Sequence, residues 1–249
     1  MKSATKAVRI LSLGAVAAIA IWLWPFFSLF LQDHHVWHQK LELTVETAEG
    51  MRTGAAIVEV RAAFGQQPLS GNEVSYELSG EATVVEVAPG RYLFALLGGT
   101  EERYACAAGK ALGWGGPWNP SNSGLQRGEW LADVPRQAGK PAVSVSKGCL
   151  PAMVTFDDIT DPKTVRQVDP EDLAATFGPG VRLKAVTLTV TDEPVAPWQD
   201  GQVAEVLPKA FFDAWGAVHR GALAQGIRDP YFSSLLGQLS RSDFQIGGR

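Results

Sequence analysis

The chain has 249 residues, and its 22 basic and 26 acidic side chains give a net charge of −4. Three of the basic residues, Lys2, Lys6 and Arg9, lie before residue 10, so the chain after Gln32 has 19 basic and 26 acidic residues, a net charge of −7. This acidic balance argues against nucleic acid or anionic lipid as a partner of that portion. A composition of 46% hydrophobic and 19% charged residues excludes a largely disordered chain.

Residues 10–31 form an unbroken uncharged and mostly apolar stretch. As a helix, these 22 residues would be about 33 Å long, enough to cross a hydrocarbon core of about 30 Å. Basic residues precede the stretch and Asp33 follows it, so the positive-inside rule predicts one transmembrane helix with residues 1–9 in the cytoplasm. The competing interpretation is a signal peptide cleaved after Ala18-Ile19-Ala20, although cleavage there would expose an apolar tail to water.

From residue 40 onward, apolar and polar residues alternate, with Leu41, Leu43 and Val45 on one side of a predicted strand. Further strands are predicted at 55–62, 73–78, 82–87 and 91–97, because turn-like segments rich in Gly, Pro, Asn and Ser separate them. Residues 32–105 are therefore a first β-rich segment. Its consecutive strands predict an antiparallel meander or sandwich.

Residues 106–150 form a Gly/Trp-rich loop region whose large apolar side chains are Trp114, Trp118 and Trp130. The three tryptophans allow two interpretations, a stacking surface for a sugar, peptide or protein, or a local core under the loop. Cys106 and Cys149 bracket the region, and on the outer side of the membrane they are expected to form a disulfide. The alternative is two separate buried thiols.

Residues 151–207 are a second β-rich segment, and residues 208–249 are a helical region. Strands are predicted at 142–145, 153–156 and 181–191. Asp169 as N-cap, Pro170 at the first position and Gly178 after the end predict a short helix between them. A longer helix is predicted over 208–224, and a second begins at Asp229-Pro230. The predicted fold is thus mainly β, with two C-terminal helices and one N-terminal transmembrane helix.

Two clusters contain residue types that are common in catalytic or metal-binding sites. Asp157 and Asp158 are the acids of the 157–172 segment that capping does not explain, and they are candidates for an acid/base pair. The juxtamembrane histidines His34, His35 and His38 form the other cluster. If the helix continued past Leu31, the first and last would be at i, i+4, a spacing that binds zinc or copper. The alternative is that they are polar headgroup-zone residues without a metal.

Sequence motifs that accompany common enzyme chemistries are missing from the chain. There is no G-x-S-x-G, H-E-x-x-H, phosphate loop or dinucleotide fingerprint, and the remaining histidine is His219. No cofactor is predicted. The sequence leaves enzymatic activity undecided and favours a non-catalytic role.

Three stretches, residues 37–50, 154–170 and 177–195, resemble a group of uncharacterised proteobacterial-type membrane-anchored envelope proteins. The resemblance covers about a quarter of the chain. It consists of short similar sequence stretches and includes no catalytic motif. It implies no activity and assigns no site residue.

These observations lead to an expected function and to one alternative. We expect a single-pass protein of the bacterial inner membrane, in contact with its lipid, whose periplasmic β-rich domain is an interaction or assembly module for another envelope protein. The alternative is a periplasmic hydrolase or carbohydrate-binding module that uses Trp114, Trp118 or Trp130 together with Asp157 and Asp158.

Overall fold

A computed structural model describes residues 33–67, 71–97, 131–197, 200–227, 231 and 233–247. Contacts divide the chain into two compact units, one of residues 35–62 and 76–249 and the other of residues 1–34 and 63–75. In the second unit, the described residues are all in extended strands. The predicted membrane anchor lies outside the described residues. Within the described ranges, no helix is long and apolar enough to cross a membrane.

The described strands form two sheets in which the pairings are antiparallel. In chain order they are β1 Asp33–Thr47, β2 Gly50–Gln67, β3 Gly71–Glu81, β4 Thr83–Ala88, β5 Arg91–Ala95, β6 Val143–Ser144, β7 Met153–Phe156, β8 Val165–Gln167, β9 Arg182–Thr191 and β10 Gln245–Ile246. The six-stranded sheet has the order β10-β3-β2-β1-β9-β6, and the four-stranded sheet has the order β4-β5-β7-β8. The prediction of a mainly antiparallel β fold with helices near the C-terminus is confirmed.

The two β-rich segments predicted from the sequence are interleaved in these sheets. Strand β9 pairs with β1, and β7 pairs with β5. Each sheet therefore combines strands that are far apart in the chain. Local alternation cannot reveal such pairings, because it reports which face of a strand is buried and not which strand lies beside it.

Strand β1 shows the predicted alternation and extends it toward the N-terminus. Leu43 and Val45 are fully buried, as expected. The strand begins at Asp33, before the predicted start, because Trp37 and Gln39 continue the same inward-facing set. Both side chains are buried, with exposures of 3% and 0%.

The four-stranded sheet is covered on both faces, and all four residues of β7 are buried. On the face toward the six-stranded sheet, the Thr83 hydroxyl donates to the Leu41 carbonyl at 3.3 Å. The approach is close at Gly54, where a Cβ would lie 1.8 Å from the carbonyl oxygen of Val84. Only glycine allows the backbones to approach so closely.

The opposite face of the four-stranded sheet packs against C-terminal segments through an aromatic cluster. Phe156 lies at its centre, with ring centroids 5.1 Å from Phe211, 5.7 Å from Phe94 and 6.0 Å from both Trp215 and Phe244. Three of these four contacts are edge-to-face, the geometry that aromatic quadrupoles favour. The cluster holds the C-terminal helical region on the sheet.

Among the described residues, the α-helices include α1 Leu173–Phe177, α2 Gln202–Val206, α3 Lys209–Ala224 and α4 Leu235–Gln238. The prediction of a helix over 208–224 is confirmed by α3, whose Phe211 and Trp215 are buried. The predicted start at Asp229-Pro230 lies outside the described residues, whereas α4 is capped by Ser234.

The predicted N-cap of α1 is wrong by three residues. Asp172 caps the helix by accepting a hydrogen bond from the Ala175 amide at 3.1 Å. Asp169 instead accepts from the Glu171 amide at 2.8 Å, in the turn that precedes the helix. An Asp-Pro pair favours such a turn as readily as a helix start, which explains the displacement.

Helix α2 is capped by a carboxylate from a distant strand. Glu81, at the end of β3 and 7% exposed, accepts hydrogen bonds from the amides of Gln202 and Val203, both at 3.0 Å. A Cβ on Gly201 would lie 2.1 Å from Oε2 of Glu81. Glycine at this position therefore leaves the space that the carboxylate occupies.

Candidate functional site

A cavity of about 200 Å³ opens where β1 begins and β9 ends, beside the 3₁₀ turn Pro135–Gln137. His38 and Thr191 are opposite each other in the strand pairing and mark this end of the sheet. Eight residues line the cavity, and we call the apolar ones its wall (Val36, Trp37, Pro135, Ala138 and Val190) and the polar ones its rim (His38, Thr191 and Asp192). We call this cavity the β1–β9 recess.

A buried polar pair lies behind the wall of the recess. The indole N–H of Trp37 donates to Oε1 of Gln39 at 2.8 Å. The Gln39 side chain is fully buried, and its Nε2 has no hydrogen-bond acceptor among the described residues. An amide donor without an acceptor costs about 1–3 kcal/mol. Packing alone would favour an apolar residue at this position.

His38 links the rim of the recess to a charged network on the outer face of the sheet. Its Nδ1 lies 2.8 Å from the carbonyl oxygen of Glu193, and its Nε2 lies 3.3 Å from Oε2 of Glu59. Since a carbonyl can only accept, Nδ1 carries the proton of that hydrogen bond. Arg61 donates to the other oxygen of Glu59 at 2.7 Å, and Lys40 lies 3.4 Å from Glu193.

The network lowers the pKa of the Glu59 carboxyl. Partial burial raises its pKa, but the hydrogen bonds from Arg61 and His38 and their charges outweigh that effect and lower the pKa overall. Glu59 is therefore held in its charged form. A carboxylate held by two partners is suited to a structural role and not to proton transfer near neutral pH.

The three histidines that were predicted to lie beside the membrane are not arranged as the helical hypothesis requires. Residues 33–47 are a strand, so the i, i+4 helical spacing of His34 and His38 does not exist. Successive residues of a strand point to opposite faces, which places His35 and His38 on different sides of β1. Among the described residues, no group of three or more His, Cys, Asp or Glu side chains could hold a metal ion.

Asp157 and Asp158 lie in the loop between β7 and β8, where both have structural partners. Asp158 Oδ1 accepts from the amide and the hydroxyl of Thr160, at 2.9 and 2.7 Å, and these hydrogen bonds lower its pKa. Oδ1 of Asp157 lies 3.3 Å from Nε of Arg166, an ion pair. Asp161 caps the following 3₁₀ turn by accepting a hydrogen bond from the Lys163 amide. The loop thus uses its acids to build turns.

Trp114, Trp118, Trp130 and Cys106 lie outside the described residues, so the stacking surface and the disulfide stay predictions. Cys149 is 2% exposed, and the Ser146 hydroxyl lies 3.3 Å from its sulfur. The structure places neither the aspartates nor Cys149 in the β1–β9 recess.

Comparisons with known proteins leave the chain without an identified family. No protein-family model, no curated protein and no solved structure matches it. The resemblance to envelope proteins therefore stays a prediction. The β1–β9 recess is therefore identified as a candidate site from its geometry alone.

The residues around the recess that the sequence interpretation missed include Gln39 and Asp192. A signal for Gln39 was present, because it occupies an inward position in the alternation that continues through Leu41. A polar residue on an otherwise apolar face marks a specific contact. Asp192 had no such signal, since only the pairing of β9 with β1 brings it near Val36.

Proposed function

We propose that this chain is a bitopic inner-membrane protein whose periplasmic β-rich domain is a non-catalytic interaction or assembly module for another envelope protein. The volume of the β1–β9 recess carries the proposal. Pockets for cofactors and drug-sized ligands measure about 300–1,000 Å³. A recess of about 200 Å³ is too small for such a ligand but suits one large side chain of a partner.

The character of the wall supports a protein partner. Five of the eight residues that line the recess are apolar, and the other three are polar. Interface hot spots use pockets of this mixed composition, because an apolar anchor side chain is desolvated in the pocket and polar groups beside it can pair with the partner. Val36 is 45% exposed at its edge, an apolar surface that a partner could cover.

The covalent path from the predicted anchor supports a partner near the membrane. Four residues lie between Leu31 and Val36, so the five Cα–Cα steps reach at most about 18 Å even when fully extended. If residues 10–31 lie in the bilayer, a segment that enters the recess comes from a protein held at the same membrane surface. The anchor then confines both proteins to two dimensions and raises their effective concentration.

The proposal is tested by cross-linking intact cells that produce the full-length chain with a C-terminal tag. After mild solubilisation, partners are identified by mass spectrometry against an unrelated single-pass anchor. The informative variant is Val36→Asp, and its matched control is Met51→Asp, because Met51 is also exposed, at 57%, but does not line the recess. We expect the envelope partner to be lost with Val36→Asp and retained with Met51→Asp. Recovery of the unmodified chain alone would refute the proposal.

A further inference from the structure

We infer that the β1–β9 recess receives one bulky apolar side chain from a partner segment that also carries a lysine or arginine, and that this cation pairs with Asp192. The inference rests on the proposed function and specifies the chemistry of the partner. It comes from the distribution of charge around the recess.

The acids near the recess differ in whether a cation already compensates them. Glu59 is paired with Arg61, and Glu193 lies within 3.4 Å of Lys40. Asp192 is exposed and lines the recess, and no ion pair reaches it within the described part of the chain. The Asp192 carboxylate is therefore available to form an ion pair with a cation of a partner protein. A cation beside the apolar side chain complements it, whereas an acidic segment would be repelled.

The overall charge favours a basic protein segment over lipid. The chain after Gln32 has a net charge of −7, so anionic headgroups are repelled from it. An acyl chain would bring no cation to Asp192. A second copy of the chain would bring the same acidic surface.

Photo-cross-linking in intact cells tests the inference on the full-length chain. A benzophenone amino acid replaces Arg136, which is exposed between the lining residues Pro135 and Ala138, and the same probe at Met51 is the positional control. The charge variant is Asp192→Lys, with Asp192→Asn as the milder change. Glu77→Lys is the matched control, since Glu77 is an exposed strand acid that does not line the recess.

We expect a cross-link from position 136 and not from position 51, on a peptide with a large apolar residue and a Lys or Arg within a few positions. Asp192→Lys should lower the yield about fivefold or more, Asp192→Asn less, and Glu77→Lys hardly at all. The yield should also fall in high salt when membranes are cross-linked. Thermal melting of each variant shows whether it is folded.

Several results would overturn the inference while leaving the proposed function standing. These are a partner cross-linked through an acidic segment, a yield that is insensitive to Asp192→Lys, or a partner that cross-links only from position 51. A cross-link to lipid or to a second copy would also overturn it. If neither position captures a protein and Val36→Asp loses no partner, the proposed function itself fails.

Discussion

The contact between Glu81 and helix α2 predicts a measurable coupling between two residues 120 positions apart in the chain. Replacing Glu81 by alanine leaves the buried amide of Val203 and the partly buried amide of Gln202 without their acceptor. Each unsatisfied donor costs about 1–3 kcal/mol, so the variant should lose about 2–5 kcal/mol of stability. For a domain of this size that corresponds to a fall of about 4–20 °C in Tm.

Gly201→Ala should be destabilising for a different reason. The φ of Gly201 is −86°, which alanine adopts without strain, so the obstacle is the carboxylate 2.1 Å from the new Cβ. Displacing a carboxylate that two amides hold should cost about 1–3 kcal/mol as overpacking, beyond the ordinary cost of alanine at an N-cap.

The double variant isolates this contact, because removal of Glu81 also removes the obstacle to the Cβ. The loss in Glu81→Ala/Gly201→Ala should be smaller than the sum of the single losses by about 1–3 kcal/mol. The intrinsic N-cap cost is present in both backgrounds and cancels. Tm is measured by tryptophan fluorescence on the full-length chain in detergent, with Glu77→Ala as the exposed control, for which less than about 0.5 kcal/mol is expected. Strictly additive losses would refute the reasoning.

Two further predictions concern the aromatic core and the His38 network. Phe156→Ala should cost about 3–5 kcal/mol in urea denaturation, because its ring contacts four other aromatic rings; a loss below 1 kcal/mol would contradict the packing described. Glu59→Gln should destabilise the protein at neutral pH, since the folded-state pKa of Glu59 is lowered. That contribution is fully present above the unfolded pKa of about 4.3 and is lost as the pH falls through the folded value. The Tm difference between the unmodified chain and Glu59→Gln should therefore shrink from pH 7 to pH 3, and a constant difference would argue against the ion pairs.

Much of the fold was accessible from the sequence because burial on one face imposes a period of two. Strand β1 and helix α3 were recognised in this way, since Leu41 and Leu43, like Phe211 and Trp215, follow the period of their element. Sheet order was not accessible, because it depends on pairings between strands that are far apart in the chain, such as β1 with β9. The displaced cap of α1 shows the other limit, since Asp169 and Asp172 carry the same side chain and an Asp-Pro pair favours a turn as readily as a helix start.

The candidate site was harder to predict than the fold, for a physical reason. A catalytic motif concentrates its residues in a recognisable spacing, whereas a recess for one side chain is assembled from ordinary residues of three separate segments. Val36, Pro135 and Val190 become a site only because β9 pairs with β1 and the 135–138 turn lies beside them. Gln39 is the exception. It is a polar residue at an inward-facing position of β1, where burial costs stability, and the sequence alternation alone reveals it.

The path from the predicted anchor to β1 limits which partners the recess can reach. Only Gln32 separates Leu31 from the first residue of β1, so the strand continues almost directly from the stretch that we expect in the membrane. The five Cα–Cα steps from Leu31 to Val36 span at most about 18 Å, so an anchor at residues 10–31 would keep the recess close to the bilayer. The loss of reach is compensated by a higher effective concentration toward neighbours in the same membrane. A recess that receives only one side chain can then still hold a partner, and for this reason the anchor and the recess are expected to act together.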